Sequence, residues 1–344
     1  MELSQANREI LSAVIRAYVL TGEPVGSKVL RELAGLHCSP ATIRAKMSEL
    51  CELGFLSQPH TSAGRVPTAL GYRFYVEQLM DRYKLSQADK NEIDSLLPSP
   101  DTTPEKLIDC ACEALAELTN CAAMLTTPAD AQAQIAKVQF IPIGRRTVMV
   151  VLITSAGMIK NRVARCDFDM HPQTLLKMNR LVEQTVCGKT LEEFTSADAQ
   201  ALLVASGVNV FSAAPLIAAL VDTVGDAVDA ELRLKGTSNL LTHREFSAQK
   251  ARELLDYLQN KGKLLTILRH EDKDFEILLG SETGEEALSS SGVIVTRYSV
   301  GGREVGSIGI LGPARMDYEH IIPSILYFRD SFGRLLTESY AEDI

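Results

Sequence analysis

The sequence predicts an α+β protein: a small helical unit, then a sheet-bearing domain interrupted by a mostly helical block. Three observations predict it. The first 83 residues show apolar residues at helical spacing, with one short hairpin-like segment after the third helix. Strand-like runs occur twice, at "QIAKVQFIPI" and "RRTVMVVLITSAGMIKNRVARCD", and again at "FEILLGS", "GVIVTRYSV" and "GSIGILGP". Between them, residues 170–235 return to helical spacing.

In order, Ser4 is placed to cap a helix whose apolar residues Ile10, Leu11, Val14, Ile15 and Tyr18 recur at helical spacing, and Gly22 stops it. "GSKVLRELAGL" forms a short second helix that buries Val29, Leu30 and Leu33. The third helix has the strongest start signal, Ser39 at the N-cap and Pro40 where a missing N–H costs nothing. Its buried stripe is Ile43, Met47 and Leu50, and Gly54 closes it. "FLSQPHTSAGRVPT" then reads as a hairpin and "ALGYRFYVEQLMDRY" as a fourth helix. A polar, proline-bearing stretch over 85–103 reads as a linker, and 104–125 as helix. Residues 199–221 carry no formal charge, but Gln200, Ser206, Asn209 and Pro215 break the run, so a buried helical hairpin is expected there and not a membrane span.

Charge narrows the partners. The chain has a net charge of −9, which argues against a uniformly nucleic-acid-binding surface. Residues 1–85, however, carry ten Lys/Arg against eight Asp/Glu, so an anionic partner is met at the N-terminus. At 100° per residue, the face of the third helix opposite its stripe holds Ala41, Ala45 and Ser48, with Thr42 nearer one edge and Arg44 and Lys46 on the flanks. Small residues flanked by cations suit a helix seated in a major groove. The loop "HTSAGRVPT" that follows suits a wing beside the duplex. Together these outline a winged helix-turn-helix.

Other chemistry finds little support. "VCGKT" ends like a phosphate-binding loop, but Glu183 stands where the upstream glycine must be. "GEPVGSK" has its serine and lysine in the wrong order, and "GGREVGSIGILGP" continues as a strand. His37, Cys38, Cys51 and His60 match no zinc spacing, and no nucleophile elbow or paired-acid motif occurs, so neither an enzyme, a cofactor nor a metal is expected. Seven cysteines without a C-x-x-C read as reduced thiols in a cytoplasmic protein, Cys38 and Cys51 among them as buried and inert.

"EPVGSKVL" (23–30), "SPATIRAKMSELCELGFLSQPHTSAGRVPTALGYRFYV" (39–76), "GTSNLL" (236–241) and "GSIGILGPARMDY" (306–318) resemble, in this order, the heat-inducible transcription repressor HrcA family. The resemblance spans essentially the whole chain. It implies a winged-helix domain at 1–84, a linker at 85–103, a GAF-like domain in two segments at 104–169 and 247–344, and an inserted dimerisation domain at 170–246. It implies a homodimer that represses chaperone operons of the GroE and DnaK types through an inverted-repeat operator, CIRCE, and that depends on a GroEL-type chaperonin. The recognition helix then falls at Ser39–Leu53, with Ser39, Thr42, Arg44, Lys46 and Ser48 as contacts, and the wing at Phe55–Pro67, with His60, Thr61, Ser62 and Arg65. Thr42 and Ser48 are expected near base edges, Arg44, Lys46, Thr61 and Ser62 at phosphates, and Arg65 in the minor groove. Two other readings compete: a winged-helix regulator sensing a metabolite through the GAF-like domain, and a chaperone-docking protein that binds no DNA.

Overall fold

The computed structural model describes residues 3–34, 38–60, 63–80, 84–98, 102–127, 132–155, 157–207, 210–228, 230–243, 246–269 and 275–342. The first helix, α1 (Gln5–Thr21), starts where Ser4 Oγ accepts from the Asn7 N–H at 3.3 Å and ends at Gly22, whose φ of +70° is left-handed. Helix α2 (Ser27–Ala34) follows, with Leu30 buried but Val29 about half exposed, so Val29 is not the core residue its spacing predicts. Leu33 lies where side chains are outside the described set. Helix α3 (Pro40–Glu52) is capped by Ser39, whose Oγ accepts from the Thr42 N–H at 3.1 Å, and Ile43, Met47 and Leu50 are buried as their spacing requires.

Two short antiparallel strands, β1 (Leu56–Ser57) and β2 (Val66–Pro67), form the hairpin. A third strand position comes from Val25, which exchanges two backbone hydrogen bonds with Arg65, both 2.9 Å. Helix α4 (Ala69–Phe74) begins under a Thr68 cap and runs into a π-helical turn, Tyr75–Leu79. Three helices followed by a two-stranded hairpin is the order that the sequence outlines.

The stretch read as a linker contains a helix, α5 (Gln87–Leu96), started by a Ser86–Asp89 capping box. Ile93 is buried, and Asp94 accepts from the Tyr327 hydroxyl at 2.9 Å, so this segment packs on the protein. Helix α6 (Pro104–Thr119) leads into β3 (Ala122–Thr126).

The chain then leaves this sheet and does not return until residue 232. The excursion holds three antiparallel strands, β4 (Ile135–Gly144), β5 (Thr147–Thr154) and β6 (Ile159–Arg165), and three helices, α7 (Pro172–Thr185), α8 (Ser196–Ala205) and α9 (Val210–Val228). Among the described residues its strands pair with one another, in the order β4-β5-β6. Their inner face, including Phe140, Val148, Val150 and Leu152, shares one core with Leu175, Met178, Leu216 and Leu220. Strands 135–165 therefore belong with the helices and not with the sheet domain, and the expected boundary at residue 170 falls inside this unit. A β-branched run specifies a strand but not its partner. The uncharged run at 199–221 lies in α8 and α9, and among the described residues no helix is long and apolar enough to cross a membrane.

The remaining elements are β7 (Leu232–Lys235), α10 (Ala248–Leu258), α11 (Lys261–Leu268), β8 (Glu276–Leu279), β9 (Ser291–Val300), β10 (Arg303–Pro313) and α12 (Tyr318–Glu342). They complete a five-stranded antiparallel sheet ordered β7-β3-β10-β9-β8. Helices α6 and α12 cover one face and α10 and α11 the other. Thr126 pairs with Leu232, so the inserted unit leaves and re-enters at one edge of the sheet. The "GGREVGSIGILGP" glycines lie in the β9–β10 hairpin, as its strand-like continuation predicts.

The winged-helix unit packs on the sheet domain through one continuous core. Tyr72 and Tyr318 are both buried with ring centroids 5.8 Å apart. Glu319 accepts from Arg16 Nη2 at 2.8 Å and from the Tyr75 hydroxyl. Arg73 donates to Glu282 Oε1 at 2.9 Å and to the Ile277 carbonyl at 2.9 Å, and Arg315 donates to the Val19 carbonyl at 2.9 Å.

Gly71 sits where a Cβ would stand 2.2 Å from the Phe55 carbonyl oxygen, a backbone atom that cannot step aside. Gly71→Ala is therefore expected to destabilise the chain by about 1–3 kcal/mol, read from the midpoint of urea unfolding.

Candidate nucleic-acid interface

With Ile43, Met47 and Leu50 turned inward, α3 presents Ser39, Ala41, Thr42, Arg44 and Ala45 exposed, with Lys46 and Ser48 half-buried. This is the face the helical spacing defines. Ser39 already caps the helix and its hydroxyl lies 2.9 Å from that of Thr42, so its oxygen positions the helix start. Arg44 makes no hydrogen bond or ion pair among the described residues, which leaves its guanidinium available to a phosphate. Lys46 differs: it donates to Glu49 Oε2 at 2.7 Å. The other Glu49 oxygen, Oε1, accepts from Asn7 Nδ2 at 2.8 Å. The Lys46 ammonium, and then the Asn7 amide, hold the Glu49 carboxyl below the usual carboxylate range. Neither Asn7 nor Glu49 is among the residues picked out by sequence. The i,i+3 spacing of Lys46 and Glu49 was legible, whereas the contact with Asn7, forty-two positions away, was not.

The wing is set by β1, β2 and Val25. His60 is exposed, and its carbonyl accepts from the Ala63 N–H at 2.8 Å. Gln58 Nε2 donates to the Ala63 carbonyl at 3.1 Å, tying the two arms together. Thr61 and Ser62 lie outside the described residues. Gly64 is needed for proximity: a Cβ there would meet the Val25 carbonyl carbon and oxygen at 2.5 Å. Arg65 stands beside Val25, half-buried, with its Nε buried and lacking a hydrogen-bond partner among the described residues. It therefore stands next to β2, at the paired end of the hairpin. Cys38 and Cys51 are free and half-buried against the core, more accessible than the inert interior thiols expected. Among the described residues, no group of three or more His, Cys, Asp or Glu is placed to hold a metal ion.

A capped third helix with an outward cationic face, followed by a β-hairpin wing, defines the class: a winged-helix transcription regulator. The chain belongs to the HrcA family, because residues 105–322 match the family's "HrcA protein C terminal domain". The chain is also 30% identical over its whole length to the heat-inducible transcription repressor HrcA of Acetivibrio thermocellus, covering 99% of that protein. It is 31% identical to the protein of the same name from Laribacter hongkongensis, over 99% of this chain and 97% of that one. A solved structure described as that of a hypothetical protein shares the fold, with a TM-score of 0.69 at 23% identity over 98% of this chain and all of the other.

Replacing Arg44 by Ala is expected to weaken binding to a cognate duplex by roughly 1–3 kcal/mol without lowering the melting temperature. A gel-shift titration at fixed salt, run beside a thermal melt, checks both.

Proposed function

We propose that the protein represses heat-shock chaperone operons of the GroE and DnaK types by binding the CIRCE inverted repeat as a homodimer. The observation that carries the DNA-binding part is the outward face of α3, small in the middle and cationic at Arg44 and Lys46, beside a wing tied to Val25. Two copies related by a two-fold axis present two such helices to the two half-sites of a repeat. The metabolite-sensing and DNA-free readings are not favoured beside relatives named as transcription repressors along the full chain.

The inserted unit supports dimerisation. Its three-stranded sheet buries one face under helices, while the other face mixes polar residues such as Gln139 and Asn161 with a row of apolar ones. Ile141, Met149 and Val163 stand in register across β4, β5 and β6, and Ile153 stands opposite Ile159. Ile159 is 49% exposed and Val163 51%. A row of apolar residues on one sheet face is a surface that association covers.

A GroEL-type chaperonin is the partner that returns the repressor to its DNA-binding form after heat. The family resemblance supports this partner. Operator binding by the purified chain, measured from growth to heat-shock temperature with and without chaperonin and against a scrambled duplex, tests the whole reading. The expected result is a higher active fraction with chaperonin and binding confined to the repeat. Equal binding to scrambled DNA contradicts the operator assignment, and an active fraction indifferent to chaperonin contradicts the partner.

A further inference from the structure

The two cations flanking α3 are in different states. Arg44 is exposed and makes no ion pair among the described residues, whereas Lys46 is held by Glu49. A surface pair three residues apart ordinarily contributes little, because ordering two long side chains offsets the attraction. Here that cost is reduced. The Glu49 carboxylate is already fixed from its other side by Asn7, which is only 2% exposed and anchored in α1. Thr42, Lys46 and Glu49 also lie along one i, i+4, i+7 row of the helix, so the carboxylate stands among the candidate contacts.

Resting on the DNA-reading assignment of α3, we propose that Glu49 is a specificity-determining residue that keeps Lys46 in an internal ion pair and disfavours non-operator DNA. Non-specific binding depends on cations meeting phosphates with no sequence information. In that mode Lys46 must abandon Glu49, and the bare carboxylate then faces the phosphate it repels. When α3 seats in the major groove of its operator, the same row faces base edges. There a carboxylate accepts from cytosine amino groups and is not driven against the backbone.

The test uses the full chain and the Glu49→Gln variant, which keeps an oxygen for Asn7 while removing the charge. Affinities for the inverted repeat and for a scrambled duplex are titrated across salt. Glu49→Gln is expected to raise scrambled-duplex affinity roughly two- to fivefold. Its salt slope should steepen by about one phosphate contact. Operator affinity rises less, so the specificity ratio falls. Adding Lys46→Gln to the variant should abolish the gain. An unchanged ratio, whether both affinities shift together or neither does, overturns the proposal. Arg44→Ala in the same titrations separates the failures. If it weakens operator binding while the Glu49→Gln ratio stays put, α3 reads DNA and only the role of Glu49 is wrong. If neither variant changes anything, the α3 assignment falls and the proposal with it.

Discussion

The aim of the reading head depends on how α1 and α4 sit against the start of α12. Two kinds of contact meet there, and their magnitudes separate their roles. Tyr318 and Tyr72 are almost wholly buried against each other, in a core shared with Phe74, Phe328 and Ile322. Each such side chain stabilises by roughly 1.5–3 kcal/mol on burial. The Arg16–Glu319 pair, with side-chain exposures of 52% and 21%, adds at most about 1 kcal/mol. The apolar contact therefore supplies the strength. The carboxylate supplies direction, because it must satisfy Arg16 and the Tyr75 hydroxyl together. The hydrogen bond to Tyr75 first, and Glu319 after it, raise the proton affinity of the Arg16 guanidinium, and burial followed by the Glu319 contact raises that of the Tyr75 phenol. None of these contacts uses a residue on the outward face of α3.

The second constraint is topological. Because β3 and β7 are neighbours, the inserted unit hangs from one edge of the sheet with a core of its own. A unit attached at one edge can present its bare sheet face to a second copy without disturbing the sheet that carries the winged helix. In the dimer proposed above, dimer contact and DNA contact fall on different parts of the chain, and the sheet domain is the spacer between them.

Local signals in the sequence are legible because the interactions behind them are local. Ser4, Ser39 and Gly22 do what their positions promise, and the stripe of Ile43, Met47 and Leu50 sets the outward face of α3. The features that were not legible are those whose partners lie far along the chain. The strand character of 135–165 was clear, yet its sheet assignment was not, since pairing is decided by three-dimensional neighbours. Val25 closing the wing on Arg65, Asn7 holding Glu49, and α5 packing through Ile93 belong to the same class. At Gly64 the close backbone of Val25 excludes a side chain, another constraint set by a residue far along the chain. Arg65 shows the limit for site residues: its charge and loop were plain, but its half-buried place beside Val25 came only with the fold.

In the proposed dimer built through the inserted unit, a fixed joint at Glu319 and Tyr318 holds two recognition helices at one separation and one rotation. Affinity of the full chain for inverted repeats whose half-sites are moved apart one base pair at a time measures this most directly. A rigid joint predicts a single sharp optimum, lost within a few base pairs as the half-sites rotate about the duplex, and broadened when Glu319→Ala loosens the joint. Affinity that stays flat across the series, in the parent as in the variant, would show that the reading heads swing freely and would contradict the account.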